Sequence, residues 1–321
     1  MRTAAAVLAA AALALAGCGG GGTEAKKEGE NTKVVVGVIP IADVAPLYLG
    51  VQKGFFKDEK LNVEPKPIQG GAEAVPAVTA NEIQFAFGNA ISLLQAKQRG
   101  IDLRIATEGV QGGSSDKDST NGMLVKKGSS IKSAKDLEGK TIAVNTLNNL
   151  GDVTTRAAQE NQGADPSKLK FVEVPFPDML AALERGSVDA VWIPEPFVSQ
   201  GVAQGATKLY DPFVEVGKRL TPSQYFGSAK FLDANPDVEK RFARAMNKSL
   251  DYARENEAEV RKIIPTYSAI PKPVAAKVPL PYWTSELNVE SVLQQGELAK
   301  KYKALKGEPD VDAILPKEGG S

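Results

Sequence analysis

The side chains available for chemistry are few. Histidine is absent from the 321 residues, and Cys18 is the one cysteine. No Ser-His-Asp triad, Cys-His pair, histidine metal site or CxxC redox pair can be built from this set. Carboxylates, amides, hydroxyls and backbone groups remain. Glu195 is the sharpest of the carboxylates, because it stands between Pro194 and Pro196 just after an apolar run ending in Trp192. It reads either as a cap for the helix that follows or as an acceptor for a ligand N–H or amine. Glu108 ends another apolar run and has a weaker form of the same claim. Two carboxylates suffice for glycoside hydrolysis, but no spacing here points to it. Ser129-Ser130-Ile131-Lys132 matches S-x-x-K without the partner motifs of that chemistry. Asp116-Lys117-Asp118 begins like a calcium loop but has its glycine, Gly122, in the wrong place.

These groups need elements to hold them. From Lys33 the chain alternates short apolar runs with helical stretches. The runs Lys33–Ile39, Leu61–Ile68, Ile83–Phe87 and Leu103–Glu108 read as strands. Between them Pro46–Lys53, Ala72–Ala80 and Asn89–Arg99 read as helices. Strands separated by helices predict βαβ units and a parallel sheet. Gly112–Gly122 breaks the pattern as a polar loop. A second series follows: strand Met123–Lys126, helix Ser133–Leu137, strand Thr141–Val144, helix Asp152–Glu160, strand Leu169–Val174, helix Asp178–Arg185, strand Ser187–Trp192 and helix Pro196–Gln204. The remainder reads as mostly helical: Pro236–Asn256, Glu257–Thr266, Val274–Val278 and Val289–Tyr302. Ala72–Phe87 and Pro177–Trp192 align without gaps, each a helix running into a strand, so a duplicated lobe is a reading alongside chance. Crossings near Gly122–Lys127 and Ser223–Lys230 would make a hinged clamp, a common setting for a small-ligand pocket.

In open α/β sheets ligands lie past the carboxyl ends of strands, at helix N-termini. The expected contacts are therefore Asp43 and Pro46, Gly70 and Gly71, Asn89 and Ala90, Asn148, Asn149 and Gly151, and Phe176. Glu108, Trp192 and Glu195 join them from strand ends. Trp192 reads as either a stacking surface or core. None of the strand-to-helix loops contains Lys or Arg, which disfavours a bare anion and favours a ligand with N–H donors or a cationic nitrogen. No cofactor or metal is expected. Lys+Arg and Asp+Glu are both 39, and zero net charge removes the field that non-specific nucleic-acid binding needs.

The first 17 residues read as a secretory signal: Met1-Arg2-Thr3, then an Ala/Leu run too short to span a bilayer. Leu15-Ala16-Gly17-Cys18 resembles the lipobox of bacterial lipoproteins, which implies a lipidated Cys18. Residues 18–32 then read as a lipid-anchored flexible tether. The body is expected to work on the extracytoplasmic face of a bacterial membrane without crossing it.

Ala45-Pro46-Leu47-Tyr48-Leu49-Gly50, Gly54-Phe55-Phe56 and Leu61-Asn62-Val63 are similar to the opening of the bacterial nitrate/sulfonate/taurine substrate-binding proteins, receptors of ABC importers. Asp136–Val144 resembles that family's second-lobe entry, and Gly186–Ala190 followed by Glu195-Pro196-Phe197 resembles a third signature. The resemblance implies an α/β, two-lobed type II periplasmic-binding-protein fold, each lobe a mostly parallel sheet flanked by helices. Lobe 1 is expected at 33–122 plus 230–315 and lobe 2 at 123–229. It also implies a monomer that carries a small organic ligand to a permease and its ATPase: a sulfonate, a taurine-like compound or a heteroaromatic such as a thiamine pyrimidine. The alternatives are a sensing lipoprotein without transport, or an Asp/Glu-dependent enzyme on the same fold. Some thiamine-pyrimidine synthases resemble the family but depend on histidine and cysteine, and this chain has no histidine.

Overall fold

A computed structural model describes residues 25–317, so Cys18, the lipobox and the signal segment lie outside the described residues. Two sheets organise the chain. Strand β1 (Lys27–Glu28) turns back onto β2 (Asn31–Val38), so the end of the expected tether belongs to the sheet. β2 buries Val34, Val36 and Val38 completely. Helix α1 (Ala45–Lys53) opens on Pro46 and stops at Gly54, whose φ of 82° caps it in the left-handed region that glycine enters without strain. The short helix α2 (Phe55–Asp58) leads to β3 (Leu61–Pro67), then helix α3 (Gly71–Thr79), β4 (Phe85–Gly88), helix α4 (Ala90–Gln98) and β5 (Leu103–Val110).

The second sheet starts at β6 (Asn121–Val125) and β7 (Thr141–Val144). The helix expected at Ser133–Leu137 is only a 3-10 turn, Lys135–Leu137. Then come α5 (Leu150–Asn161), β8 (Lys170–Glu173), α6 (Phe176–Arg185), β9 (Ala190–Pro194), α7 (Phe197–Ala203), β10 (Thr207–Tyr210) and α8 (Pro212–Val216). Strand β11 (Ser223–Ser228) corrects the sequence reading. It was expected as a crossing at the end of lobe 2, yet it pairs antiparallel with both β4 and β5 inside the first sheet. The crossing itself is the preceding stretch, where the Gly112 N–H donates to the Leu220 carbonyl at 2.7 Å. Helices α9 (Ala229–Ala234), α10 (Pro236–Glu255), α11 (Glu257–Tyr267), α12 (Lys272–Ala275) and α13 (Val289–Lys301) complete the chain.

The sheets repeat one topology. In the first, β2 pairs parallel with β3 and β4, and β4 pairs antiparallel with β11. In the second, β7 pairs parallel with β8 and β9, and β9 pairs antiparallel with β6. The repeat seen in the sequence falls on corresponding units: α3 and β4 start at Gly71 and Phe85, α6 and β9 at Phe176 and Ala190, each 105 residues later. Below, each sheet with its helices is called a lobe.

Aromatic packing anchors the first lobe. On α10, Val238, Phe242, Ala245, Met246, Leu250 and Ala253 recur at helical spacing and are buried. Phe242 stacks on Phe85 at 3.9 Å. Asp237 pairs with Arg241 at i,i+4 on this helix, and Glu257 with Arg261 on α11.

Candidate functional site

The carboxyl ends of the parallel strands of both sheets face each other, and the strand-to-helix loops meet there. The Asn89 side chain caps α4 by accepting from the Ser92 N–H, and its Nδ2 donates across the gap to Asn149 Oδ1 at 2.8 Å. Asn149 caps α5 and donates to the Ser92 hydroxyl at 3.1 Å. Gln95 Nε2 donates to the Asn148 carbonyl, and Asn145 Nδ2 to the Gln69 carbonyl. A Cβ on Gly70 would lie 2.8 Å from Thr146 Oγ1, and one on Gly71 2.2 Å from Ser92 Oγ. Both glycines thus sit where side chains of neighbouring loops and helices close in. At the far side the Ala42 N–H donates to the Glu195 carbonyl at 2.9 Å. The structure therefore brings Gly70, Gly71, Asn89, Asn148 and Asn149 together, while Glu195 meets Ala42, the neighbour of Asp43, at a second point. Ala90 and Pro46 are buried within the first turns of α4 and α1.

Trp192, Phe176 and Gly151 form a separate group inside the second lobe. The Trp192 ring lies 5.7 Å from both Phe176 and Phe213, and a Cβ on Gly151 would touch it at 2.8 Å. Trp192 is 4% exposed, as the core alternative requires. Its Nε1, however, is buried without a hydrogen-bond partner among the described residues.

Glu195 and Glu108 are committed to the chain itself. The Glu195 carboxylate accepts from the Ser199 N–H at 3.0 Å and the Ser199 hydroxyl at 2.9 Å, which is the helix-capping alternative. Glu108 accepts from the N–H groups of Gly109 and Asn288 and from the Thr221 hydroxyl, tying β5 to the residues before α13. A carboxylate satisfied by its own fold has little left for a ligand. Burial pushes the Glu108 carboxyl up to about 7, with these donors offsetting part of the cost. Its unfolded value is lower, so the folded state holds more protons between about 4.5 and 7, and stability falls as pH rises through that window. Thermal unfolding is expected at higher temperature at pH 5.5 than at pH 8, and Glu108→Gln should shrink that difference. An undiminished difference in the variant would remove Glu108 as its source.

Two residues not singled out from the sequence stand at the centre. Asn121 pairs with Pro194 at the carboxyl end of β9, and Gln224 pairs with Gly88 at the carboxyl end of β4. They occupy corresponding places on the two antiparallel strands β6 and β11. Each is completely buried, and neither side-chain nitrogen nor oxygen of either amide has a hydrogen-bond partner among the described residues. Burying a polar group unpaired costs about 1–3 kcal/mol, so four such atoms at the mouth of two facing sheets mark a place built for something polar. Tyr210 and Trp192 lie opposite Met123 on either side of β6, on the sheet face that carries Asn121; the Tyr210 hydroxyl and Trp192 Nε1 also have no hydrogen-bond partner among the described residues. Across the gap the buried Tyr225 hydroxyl has no hydrogen-bond partner among the described residues either. Asn121-Gly122 reads as loop punctuation and Ser223–Ser228 lacks an apolar run, so neither had a signal beyond its nearness to a crossing.

A two-sheet clamp with unpaired polar groups at its facing ends defines a ligand-binding protein of the periplasmic-binding-protein fold. The chain belongs to the NMT1/THI5 like family, whose model matches residues 41–260. It is 25% identical over 285 residues to a Bacillus subtilis protein named "Putative aliphatic sulfonates-binding protein", covering 85% of this chain and 82% of that one. It is also 25% identical over 238 residues to the 4-amino-5-hydroxymethyl-2-methylpyrimidine phosphate synthase of Candida albicans, covering 69% and 68%. The periplasmic nitrate-binding protein of Synechocystis superposes with a TM-score of 0.77 at 17% identity, covering 89% of this chain and 86% of that one. The family and fold that the motifs implied are borne out.

Proposed function

We propose that this chain is the solute-binding receptor of an ABC importer, tethered through Cys18 on the extracytoplasmic face and acting as a monomer without catalysis. The lobes close on a small organic ligand, and the closed form delivers it to a permease and its ATPase. The observation that carries this reading is the pair of buried, unpaired amides, Asn121 and Gln224, one from each sheet. A ligand between them completes hydrogen bonds to both lobes at once, so it binds the closed state better than the open one and shifts the population toward it. Asn89, Asn149, Gly70 and Gly71 form the loops that seal the gap, and Asp43 and the Trp192 N–H add an acceptor and a donor.

Carboxamides offer paired donors and acceptors, and the strand-to-helix loops bring Asp43 but no Lys or Arg. This combination favours a ligand with both donors and acceptors, either a zwitterion of the taurine type or a nitrogen heteroaromatic, over a bare anion. Among the described residues no helix is long and apolar enough to cross a membrane, and no cluster of metal-ligating side chains occurs. The relative that is a synthase keeps the enzyme reading as the rival, and the missing histidine weighs against it.

The test is a thermal-shift panel of sulfonates, taurine, nitrate, aminopyrimidines and polyamines, followed by mass spectrometry of the mixture. A binder present at about 100 times its Kd adds about 2.7 kcal/mol. One strong hit recovered unchanged supports the receptor; a hit converted to product overturns it in favour of the enzyme.

A further inference from the structure

The buried carboxyl groups among the described residues are those of Asp43, Glu108, Asp152, Glu195, Asp211 and Glu239. All but one have partners elsewhere in the chain. Glu108 and Glu195 accept the hydrogen bonds given above. Asp211 accepts from the Asn121 and Phe213 N–H groups and the Ser119 hydroxyl. Asp152 pairs with Arg156 at 2.6 Å, and Glu239 with Arg104 at 3.2 Å. Asp43 is the exception. It is 7% exposed, its carboxylate accepts from its own main-chain N–H, and no other described residue gives it a hydrogen bond or an ion pair. We propose that Asp43 and the phenol rings around it form the subsite that grips a protonated amine of the carried solute, an inference that rests on the receptor reading for the remainder of that solute.

The geometry around Asp43 is fixed from several elements. Trp283 Nε1 donates to the Asp43 carbonyl at 3.0 Å, and the Tyr267 hydroxyl of α11 donates to the Ile41 carbonyl at 3.0 Å. The Tyr48 ring of α1 stacks on Tyr267, with 4.0 Å between centroids and 5° between planes. Tyr225 of β11 completes the group. It is completely buried, and its hydroxyl has no hydrogen-bond partner among the described residues. Burial, then the nearness of Tyr48 and Asp43, holds that phenol well above its usual range. A carboxylate without an outside donor and a hydroxyl without a partner thus share one corner beside two stacked rings. Asp43 follows the carboxyl end of β2, and its neighbour Ala42 touches Glu195 of the other lobe. The corner therefore lies at the edge of the gap between the lobes.

A carboxylate held away from water needs both a hydrogen-bond donor and an opposite charge. The chain supplies a guanidinium to Asp152 and to Glu239, and none to Asp43. An ammonium brings the charge and several donors on one atom. One N–H reaches the Asp43 carboxylate, in a charge-assisted bond stronger than a neutral one. A second can reach the Tyr225 hydroxyl oxygen. Aromatic faces are negative, so the surrounding rings attract the same cation. A neutral amide would bring donors but leave the charge uncompensated, and an anion would be repelled. Tyr48, Tyr225 and Tyr267 are thus the residues that set the choice of head group together with Asp43.

The test uses the full chain with carbon-13 on the rings of its seven tyrosines, each resonance assigned by a Tyr→Phe replacement. Methylammonium chloride is the probe, titrated against sodium chloride at constant ionic strength. Acetamide and sodium acetate, of similar size, supply the neutral donor and the anion. Methylammonium is expected to move the resonances of Tyr48, Tyr225 and Tyr267 saturably and to leave the remaining tyrosines in place. Acetamide and acetate should bind about tenfold or more weaker, because the hydrogen bond to a buried charge is lost or left uncompensated. Asp43→Asn should weaken methylammonium by about the same factor. Should that variant fold poorly, Tyr48→Leu, at a half-buried position, removes one ring face and must weaken the titration by about threefold. Rings that do not respond, an equal response to acetamide, or a response that survives in the variants overturns the proposal. The solute panel decides the receptor reading by whether a compound is recovered unchanged, so the subsite and that reading fail separately.

Discussion

Replacing Asn121 with Leu and Gln224 with Met is expected to stabilise the ligand-free protein while weakening ligand capture by about 100-fold. The replacements keep side-chain length and volume close to the originals, so packing changes little. They remove four buried polar atoms that have no partner, each group of which costs about 1–3 kcal/mol when left unsatisfied. At about 2–4 °C per kcal/mol for a chain of this size, the unfolding temperature should rise by several degrees. The same groups supply one hydrogen-bonding edge from each lobe, so a ligand loses its bridge. A factor of 100 corresponds to about 2.7 kcal/mol, a modest demand on two hydrogen-bonded amides. Calorimetry of the ligand-free variant, and titration with whichever compound the panel identifies, check both halves. A variant that unfolds at lower temperature would show that the amides serve the fold; one that binds undiminished would remove them from the site.

Gly109→Val is expected to destabilise the chain by about 3 kcal/mol or more, a large fraction of the stability of a typical folded chain. The position looks innocuous, a strand glycine with ordinary φ. Its missing Cβ is occupied by neighbours: an added one would lie 2.5 Å from the Ser223 carbonyl oxygen, 2.8 Å from Phe87 and 3.1 Å from the Gln224 Cα. Two of these are backbone atoms of β11 and cannot rotate away. The strand would have to lift off β5, taking Gln224 and the end of the second crossing with it. Urea unfolding measures the loss. A cost under about 1 kcal/mol would show that β11 is free to shift, and with it the amide at the site.

The two positions illustrate where sequence reasoning stopped. Lys33–Ile39 could be read as a buried strand because β-branched residues run without interruption, and Pro46 and Gly54 bracketed α1 because each suits one end of a helix. The helix–strand unit repeated at 105 residues later proved to be α3–β4 and α6–β9, in matching places of two like sheets. Those signals are local, arising from backbone preference and apolar periodicity within a few residues. Ser223–Ser228 carried no such signal. It is a strand because β4 and β5 lie on either side and offer it two ladders of hydrogen bonds. Glu195 had two readings of equal merit, and only the distance to Ser199 separated them.

By itself, then, the sequence determined the inventory: no histidine, a single cysteine, strand-to-helix loops without Lys or Arg, and an alternation of strands and helices that demands parallel sheets. It limited what chemistry is available, since side-chain types do not change on folding. Tertiary structure alone decided which of the many polar groups are left without partners. Desolvation of Asn121, Gln224, Asp43 or Trp192 Nε1 is a property of what packs over them, and Asn121 and Gln224 lie against Pro194 and Gly88, residues far away along the chain. A side chain's cost of burial is not written at its own position, so the site became visible only when both sheets were in place.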